Sequence, residues 1–354
     1  MPNERSPCCT DPLDTRCASG YSCAASAGRD PILVTTSTIT VADRWDHFLA
    51  RWGFHRVGHR VEPGLYRLGN PTPDSEVFVS ANYTLSFDAL RSALVGLDAF
   101  ILVLDTKGIN VWCAAGKGTF GTEELVHRIT ATRLGEMVRH RRLILPQLSA
   151  PGVSWGDVLR RSGFLVEYGP VHARDLPAYL KTHTADPVIR RVQFPLRDRV
   201  VLIPVELVQA IPVTALTTVI LGFAAGWVVA MQFLLAVLAG TAFFPILLPF
   251  LPTKDFTTKG LFLGLLVTLP FVLLIGYSSP DFSLYSTGWA IAGILIFPAI
   301  TAFLSLNFTG STPFTSRTGV RKEIFRYIPV LAVLGGSGIV LAILLSVARF
   351  AGVI

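Results

Sequence analysis

The chain has 354 residues, of which 51% are hydrophobic and only 16% charged, with a formal net charge of +7. Soluble domains carry about 25% charged residues, so the composition excludes an ordinary soluble protein and, over most of the length, a disordered one. The deficit is local. Residues 1–210 hold 24 Lys/Arg and 21 Asp/Glu, residues 211–354 hold 7 and 3, and all seven histidines precede residue 184. A soluble domain followed by a membrane bundle is expected. Net charge says little about partners, because the basic residues of the second half lie between apolar runs, where orientation in a bilayer accounts for them. No basic–aromatic stripe suggests nucleic acid.

Residues 1–30 are rich in Ser, Cys, Asp and Pro and read as a flexible tail. They lack the apolar core of a signal peptide, so the soluble domain, residues 31–200, is expected in the cytoplasm with reduced thiols. Five cysteines in a chain of this length do not form a disulfide framework.

Within the soluble domain, 76–80 reads as a strand. Residues 86–97 read as a helix, with Ser86 as N-cap and Leu90, Leu94 and Leu97 on one face. Residues 99–104 (AFILVL) form a continuous apolar run, as in a strand buried on both faces of a parallel sheet. Helical patterns follow at 122–134 and 154–161, and strands at 142–145 and 164–168. This alternation predicts a doubly wound α/β sheet, in which ligands bind beyond the carboxyl ends of the strands.

Beyond the strand 99–104 lies DTKGINVWCAAGKGTFGT, residues 105–122. Gly116, Gly118 and Gly121 fit G-x-G-x-x-G. A dinucleotide site needs its glycines directly after the strand, whereas Gly116 comes eleven positions after Asp105. Residues 110–117 read as a short helix instead, with Asn110 as N-cap and Gly116 or Gly118 ending it. Cys113 falls at its middle, and Ala114, Ala115 and Gly116 beside it leave room for a large flat partner. Two readings of Cys113 stand at this point: a thiol in a ligand crevice, and a plain buried thiol.

Residues 201–354 read as an all-α transmembrane domain. No charge occurs over the 47 residues between Glu206 and Lys254, and one helix needs about 20 apolar residues to cross a bilayer. Five spans are expected, at about 211–230, 231–251, 261–277, 288–306 and 328–348, the first two joined by a tight turn. The loops carrying Lys254 and Lys259, and Arg317, Arg321, Lys322 and Arg326, are basic, whereas the loop 278–287 has Asp281 and no Lys or Arg. Both basic loops are therefore expected inside, with the soluble domain, and the C-terminus outside. No span has a charge at its middle, which speaks against an ion pathway and for an anchor.

The octapeptide NVWCAAGK at 110–117 resembles the cap-helix signature of the mercury-methylating corrinoid proteins. The segments VSANYT (79–84), LDTKGIN (104–110), HRRLILPQ (140–147), APGV (150–153) and GPV (169–171) agree with it. Residues from about 70 to 185 resemble the cobalamin-binding domain of the corrinoid iron–sulfur protein of the acetyl-CoA pathway. The resemblance implies a Rossmann-like corrinoid-binding domain followed by the five helices, anchored in the cytoplasmic (inner) membrane. It implies methyl transfer to Hg(II), forming methylmercury, by way of a methyl–Co(III) corrinoid, with Cys113 as catalytic residue and lower axial ligand of cobalt. Cofactor-binding residues implied with it are Asn110, Val111, Trp112, Cys113, Ala114, Ala115, Gly116, Lys117 and Gly118. Asn82, Thr84 and Thr106 at strand ends are implied to meet corrin amides, and Gln147, Pro151, Gly152, Gly169 and Pro170 to border the nucleotide tail. Trp112, about 100° around the helix from Cys113, is expected to pack into the domain, and His140 to be a surface histidine. Implied partners are a ferredoxin-like protein with two four-iron clusters as electron donor, a methyl-folate-linked methyl donor, Hg(II) as substrate and the lipid bilayer.

The chemistry suits a thiolate. Hg(II) is an electrophile, so the methyl group must leave with electron density, and an anionic sulfur opposite it stabilises the oxidised metal better than a neutral imidazole. Cys113 must be deprotonated to bind. The first turn of its helix favours the anion; Lys117 either does so too or is a solvated lysine. The histidine-on-cobalt motif D-x-H-x-x-G is absent. The sequence departs from the iron–sulfur relative in having no room for a barrel domain, and Cys8, Cys9, Cys17 and Cys23 do not match ferredoxin spacing. These four read as tail thiols, with the adjacent pair Cys8 and Cys9 also able to capture soft Hg(II). Two other functions compete: a membrane-bound corrinoid methyl carrier of one-carbon metabolism, and a thiol-based metal-binding membrane protein without corrinoid.

Overall fold

The computed structural model describes residues 32–55, 58–278, 284–310 and 317–352. The tail cysteines 8, 9, 17 and 23 and the loop residue Asp281 lie outside the described residues. The chain divides into two compact units, one running to Ala50 and from Phe54 to Val192, the other holding Arg51–Gly53 and Gln193–Ile354.

The first unit contains, in order, β1 (Leu33–Thr35), α1 (Val41–Arg51), β2 (Gly64–Leu68), β3 (Val77–Ala81), α2 (Thr84–Ala93), β4 (Ala99–Leu104), α3 (Val111–Lys117), α4 (Thr122–Ala131), α5 (Leu134–Met137), β5 (Arg142–Leu145), α6 (Trp155–Ser162), β6 (Leu165–Tyr168) and α7 (Leu176–Tyr179). The sheet order is β1-β2-β4-β3-β5-β6. Strands β4, β3, β5 and β6 run parallel, and β2 joins them antiparallel through β4, with β1 parallel to β2.

The apolar run of β4 divides between two cores by the alternation of a strand. Phe100, Leu102 and Leu104 join Ala114, Leu125, Leu134 and Val158 on the face of α3–α6. Ala99, Ile101 and Val103 join Phe87, Leu90, Leu94 and Tyr179 on the face of α2 and α7. Helices thus cover both faces, as the continuous apolar strands require. A fully buried leucine such as Leu102 contributes enough that truncation to Ala costs about 2–5 kcal/mol.

Several boundaries differ from expectation. The helix expected at 86–97 runs from Thr84 to Ala93, and Ser86 is not its cap. Its N-cap is Tyr83, whose side chain makes no cap bond. The Thr84 amide instead donates to the carbonyl of His59 (3.2 Å), so the chain turns helical as soon as β3 ends. Leu90 and Leu94 are buried as expected, but Leu97 lies beyond the helix and is exposed. The helix expected at 122–134 breaks after Ala131, where Thr132 caps it and Arg133 takes a left-handed backbone conformation (φ 50°) before α5. Elements β1, α1 and β2 carried no signal strong enough to be read from the sequence.

The second unit contains α8 (Leu196–Val200), α9 (Ile203–Ala225), α10 (Trp227–Leu238), α11 (Phe244–Leu247), α12 (Phe256–Ser278), α13 (Leu284–Leu306) and α14 (Arg317–Phe350). Among the described residues, five helical segments are long and apolar enough to cross a membrane: Leu196–Ala225, Trp227–Leu247, Phe256–Ile275, Leu284–Leu306 and Gly319–Phe350. The expected boundary at residues 200/201 falls inside the first of these, because helix formation continues outward through its charged end. The turn expected at 230/231 lies at Gly226, whose backbone (φ 92°, ψ 157°) ends α9. No charge marks that break, so apolarity alone could not locate it. The helices pack through small residues: a Cβ on Gly260 or Gly264 of α12 would stand 2.6 Å from Ala302 Cα or Pro298 Cα of α13.

Candidate functional site

Strands β3 and β5 pair at Phe78 and Ile144 and part towards their carboxyl ends. Chain connections leave this point in opposite directions, β3 to β4 on one side and β5 to β6 on the other. Such a switch point opens the crevice where doubly wound sheets hold ligands. A cavity of about 370 Å³ occupies it, lined by Val79 and Ser80 of β3, Leu145 and Pro146 at the end of β5, Tyr83 and Ser86 of the α2 start, and His172. Asn110, Val111 and Trp112 close it from the side of α3. Trp112, expected to pack into the domain, is half-buried and forms part of the cavity wall.

The helix α3 is built as the sequence predicts. Asn110 Oδ1 accepts a hydrogen bond from the Cys113 amide at 2.9 Å, and Gly118 (φ 87°) ends the helix. Its inner side carries Ala114 and Ala115, buried in the core. Those alanines therefore cannot flank a ligand next to the thiol. The outer side carries Cys113, half-buried, Gly116 and the exposed Lys117. A Cβ on Gly116 or Gly118 would meet nothing within 4 Å. Cys113 is a free thiol on the open side of a short helix, and its sulfur is not among the atoms lining the cavity.

Two predicted ligand residues turn out to be structural. Asn82 is 1% exposed, and its Oδ1 accepts from the amides of Thr106 (3.1 Å) and Gly108 (3.0 Å). Its Nδ2 donates to Asp105 Oδ1 at 3.2 Å. Thr106 Oγ1, also buried, lies 2.8 Å from Asn82 Oδ1 and 2.7 Å from the Ile109 carbonyl oxygen. Both side chains are thus spent on fixing the turn 105–109 that aims α3. Gly152 is structural too: a Cβ there would stand 2.3 Å from the Phe120 carbonyl oxygen and 2.9 Å from Ala115 Cα, so only glycine lets this loop carry α3. Gly169 is buried and donates to the Leu145 carbonyl (2.8 Å). Pro151 is exposed, outside the cavity wall, whereas Pro170 lines it.

Thr84 and Gln147 differ from these. Thr84 Oγ1 and Gln147 Oε1 are buried without a hydrogen-bond partner among the described residues. Thr84 sits between Tyr83 and Leu85, and Gln147 between Pro146 and Leu148, all four of which line the cavity. Buried polar atoms are normally satisfied, but neither Thr84 nor Gln147 is among the residues lining the cavity, so the two orphans do not mark a ligand there. His140 is a satisfied structural histidine: Nε2 is 2.8 Å from the Ser75 carbonyl oxygen, and Nδ1 accepts from the Arg142 amide. Among the described residues no three His, Cys, Asp or Glu side chains come together as a metal site. Sequence reasoning missed Ser80, Tyr83, Ser86 and His172. They are ordinary polar residues at element ends, and only the crevice brings them together.

Residues 54–178 match the family model of the CO dehydrogenase/acetyl-CoA synthase delta subunit. The chain is 34% identical over 128 residues to the acetyl-CoA decarbonylase/synthase complex subunit gamma of Methanopyrus kandleri, covering 36% of this chain and 27% of that protein. The same subunit of Archaeoglobus fulgidus is 32% identical over the same shares. That of Methanocaldococcus jannaschii is 30% identical over 130 residues, 36% of this chain and 26% of the relative. The match spans about a quarter of the length of these relatives and falls on the α/β unit, over the crevice, α3 and the loops around them.

Proposed function

We propose that this chain is a membrane-anchored corrinoid protein that transfers a methyl group to Hg(II), with Cys113 as the sulfur ligand of cobalt. The observation that carries the reading is a free thiol on the outward side of a capped helix beside a switch-point crevice, within the segment similar to acetyl-CoA decarbonylase/synthase subunits. The donor set suits the group: a soft sulfur, open space at Gly116 for a flat ring, and the polar side chains of Ser80, Tyr83, Ser86 and His172 on the cavity wall. The cavity takes only part of so large a molecule.

A bound corrinoid would supply a cobalt able to carry a methyl group and to release it with electron density, as a carbanion or a radical. The residues do the rest. Cys113, once deprotonated, would hold the cobalt through its sulfur. Asn110 holds the turn that presents it. Ser80, Ser86 and His172 on the cavity wall would hydrogen-bond amides of the ligand, beside the apolar side chains of Val79, Leu145 and Leu148. The five long helices would anchor the unit at the cytoplasmic side of the inner membrane, within reach of a two-cluster ferredoxin-like protein as electron donor and a folate-linked methyl donor.

The relatives' names favour a second reading, a methyl carrier within acetyl-CoA-type one-carbon chemistry. One experiment separates them. The purified full chain is supplied anaerobically with a corrinoid, a reductant and a methyl donor, then with Hg(II). Uptake of corrinoid, a visible spectrum of sulfur-ligated cobalt and methylmercury formation are expected. Uptake without methylmercury, but with transfer to a nucleophilic acceptor, would favour the carrier. No uptake would sink both.

A further inference from the structure

Helix α1 is amphipathic in the reverse sense from a water-facing helix. At 100° per residue, Asp43, Asp46, His47 and Ala50 share one side, and Val41, Trp45 and Phe48 share the opposite one. The polar side faces the protein. Arg91 donates to Asp43 Oδ2 at 2.8 Å, His47 Nε2 is 2.7 Å from Asp88 Oδ2, and His59 Nδ1 is 2.7 Å from Asp46 Oδ1. The apolar side faces out: Val41 is 83% exposed, Trp45 61% and Phe48 43%. The two rings stack with centroids 5.3 Å apart. Arg44 and Arg51 beside them are exposed. Both acidic residues of the helix are engaged on the inner side, so the outer side offers only apolar surface and positive charge.

This is the make-up of an interfacial helix: Trp and Phe for the boundary of the acyl chains, Arg for anionic headgroups. The chain itself brings a bilayer within reach. Gly53, two residues beyond α1, packs in the second unit, where a Cβ would stand 2.9 Å from Val205 Cγ2. Val205 belongs to Leu196–Ala225, a helix long and apolar enough to cross a membrane. The five residues from Phe48 to Gly53 span at most about 18 Å.

We propose that α1 lies in the headgroup layer of an anionic bilayer, with Trp45 and Phe48 at the ends of the acyl chains and Arg44 and Arg51 on lipid phosphates. The proposal is independent of the function argued above.

Full-length protein in nanodiscs of phosphatidylcholine and phosphatidylglycerol tests it. The emission of Trp45 is the difference between the wild type and Trp45→Phe, measured with plain lipids and with lipids brominated near the headgroup. Brominated lipid should remove most of that difference, and aqueous acrylamide little of it. The exposed Trp155, read in the same way through Trp155→Phe, should show the reverse. Arg44→Glu combined with Arg51→Glu should lower the bromine quenching. Trp45 emission that brominated lipid leaves intact would overturn the proposal, whether acrylamide reaches it, as on a free surface, or not, as under a second copy or another protein. Quenching unchanged in the double-Glu variant would overturn the assignment to anionic headgroups.

Discussion

The side chain of Asn110 accepts a hydrogen bond from the backbone amide of Cys113 at 2.9 Å, so the residue that starts α3 also holds the residue that carries its chemistry. Asn110→Ala should cost about 0.5–2 kcal/mol at this cap, whereas Asn110→Asp or Asn110→Ser should restore most of it. Hydrogen exchange of the Cys113 amide measures this directly. Exchange in Asn110→Ala no faster than in the wild type would show that the cap does not hold the helix.

Cys113→Ala should still take up corrinoid, because a large ligand touches the crevice over a wide area, but should lose methylmercury formation and change the cobalt spectrum. Cys113→His should restore a ligand without the negative charge and remain poorly active. Spectrum and product are measured on one preparation. Near-normal activity in the alanine variant would remove Cys113 from the mechanism.

Two glycines at α3 should separate folding from binding. Gly116→Ala meets open space and should stabilise the helix by about 0.5–1 kcal/mol, yet weaken corrinoid uptake by placing a methyl group on the face beside the thiol. Gly152→Ala meets backbone at 2.3 and 2.9 Å and should lower both thermal stability and uptake. Unaltered corrinoid affinity in Gly116→Ala would move the ligand off this face.

Asp43 gives the α/β unit an acid-sensitive contact. Burial alone would raise its pKa. Hydrogen bonds from the Thr40 amide and hydroxyl and from the Arg91 guanidinium, with the charge of Arg91, outweigh that and hold the carboxyl below the ordinary aspartate value. A depressed folded-state pKa contributes stability that is fully present above the unfolded value, near 4, and is lost as pH falls through the folded one. Asp43→Asn should therefore destabilise the unit at neutral pH and flatten the acid limb of its stability profile. A difference from the wild type that stayed constant down to the lowest pH would contradict this.

The loop charges predict sidedness. Reporter fusions after Lys254, after Leu284 and after Arg321 should read inside, outside and inside. An inside signal after Leu284 would rule out the five-span arrangement with an external C-terminus.

Much of this protein is legible without a structure, because the signals involved are local. An uninterrupted AFILVL can only be buried on both faces. Asn110 and Gly118 bracket a helix through their own backbone preferences. Forty-seven uncharged residues demand an apolar solvent. The sequence by itself therefore determined the parallel core, the position of α3 and the number of long apolar helices. Tertiary structure decided what each side chain is free to do. Asn82 and Thr106 stand at strand ends, as ligand residues often do, yet their hydrogen-bonding capacity is consumed by the turn before α3. Ala114 and Ala115 flank the thiol in sequence but face the core in space. The inward charges of α1 depend on partners distant along the chain, Arg91 and Asp88 among them. Hydrophobic periodicity reports burial of apolar groups but not the pairing of polar ones, so the elements could be read from the chain while the satisfaction of their polar atoms could not.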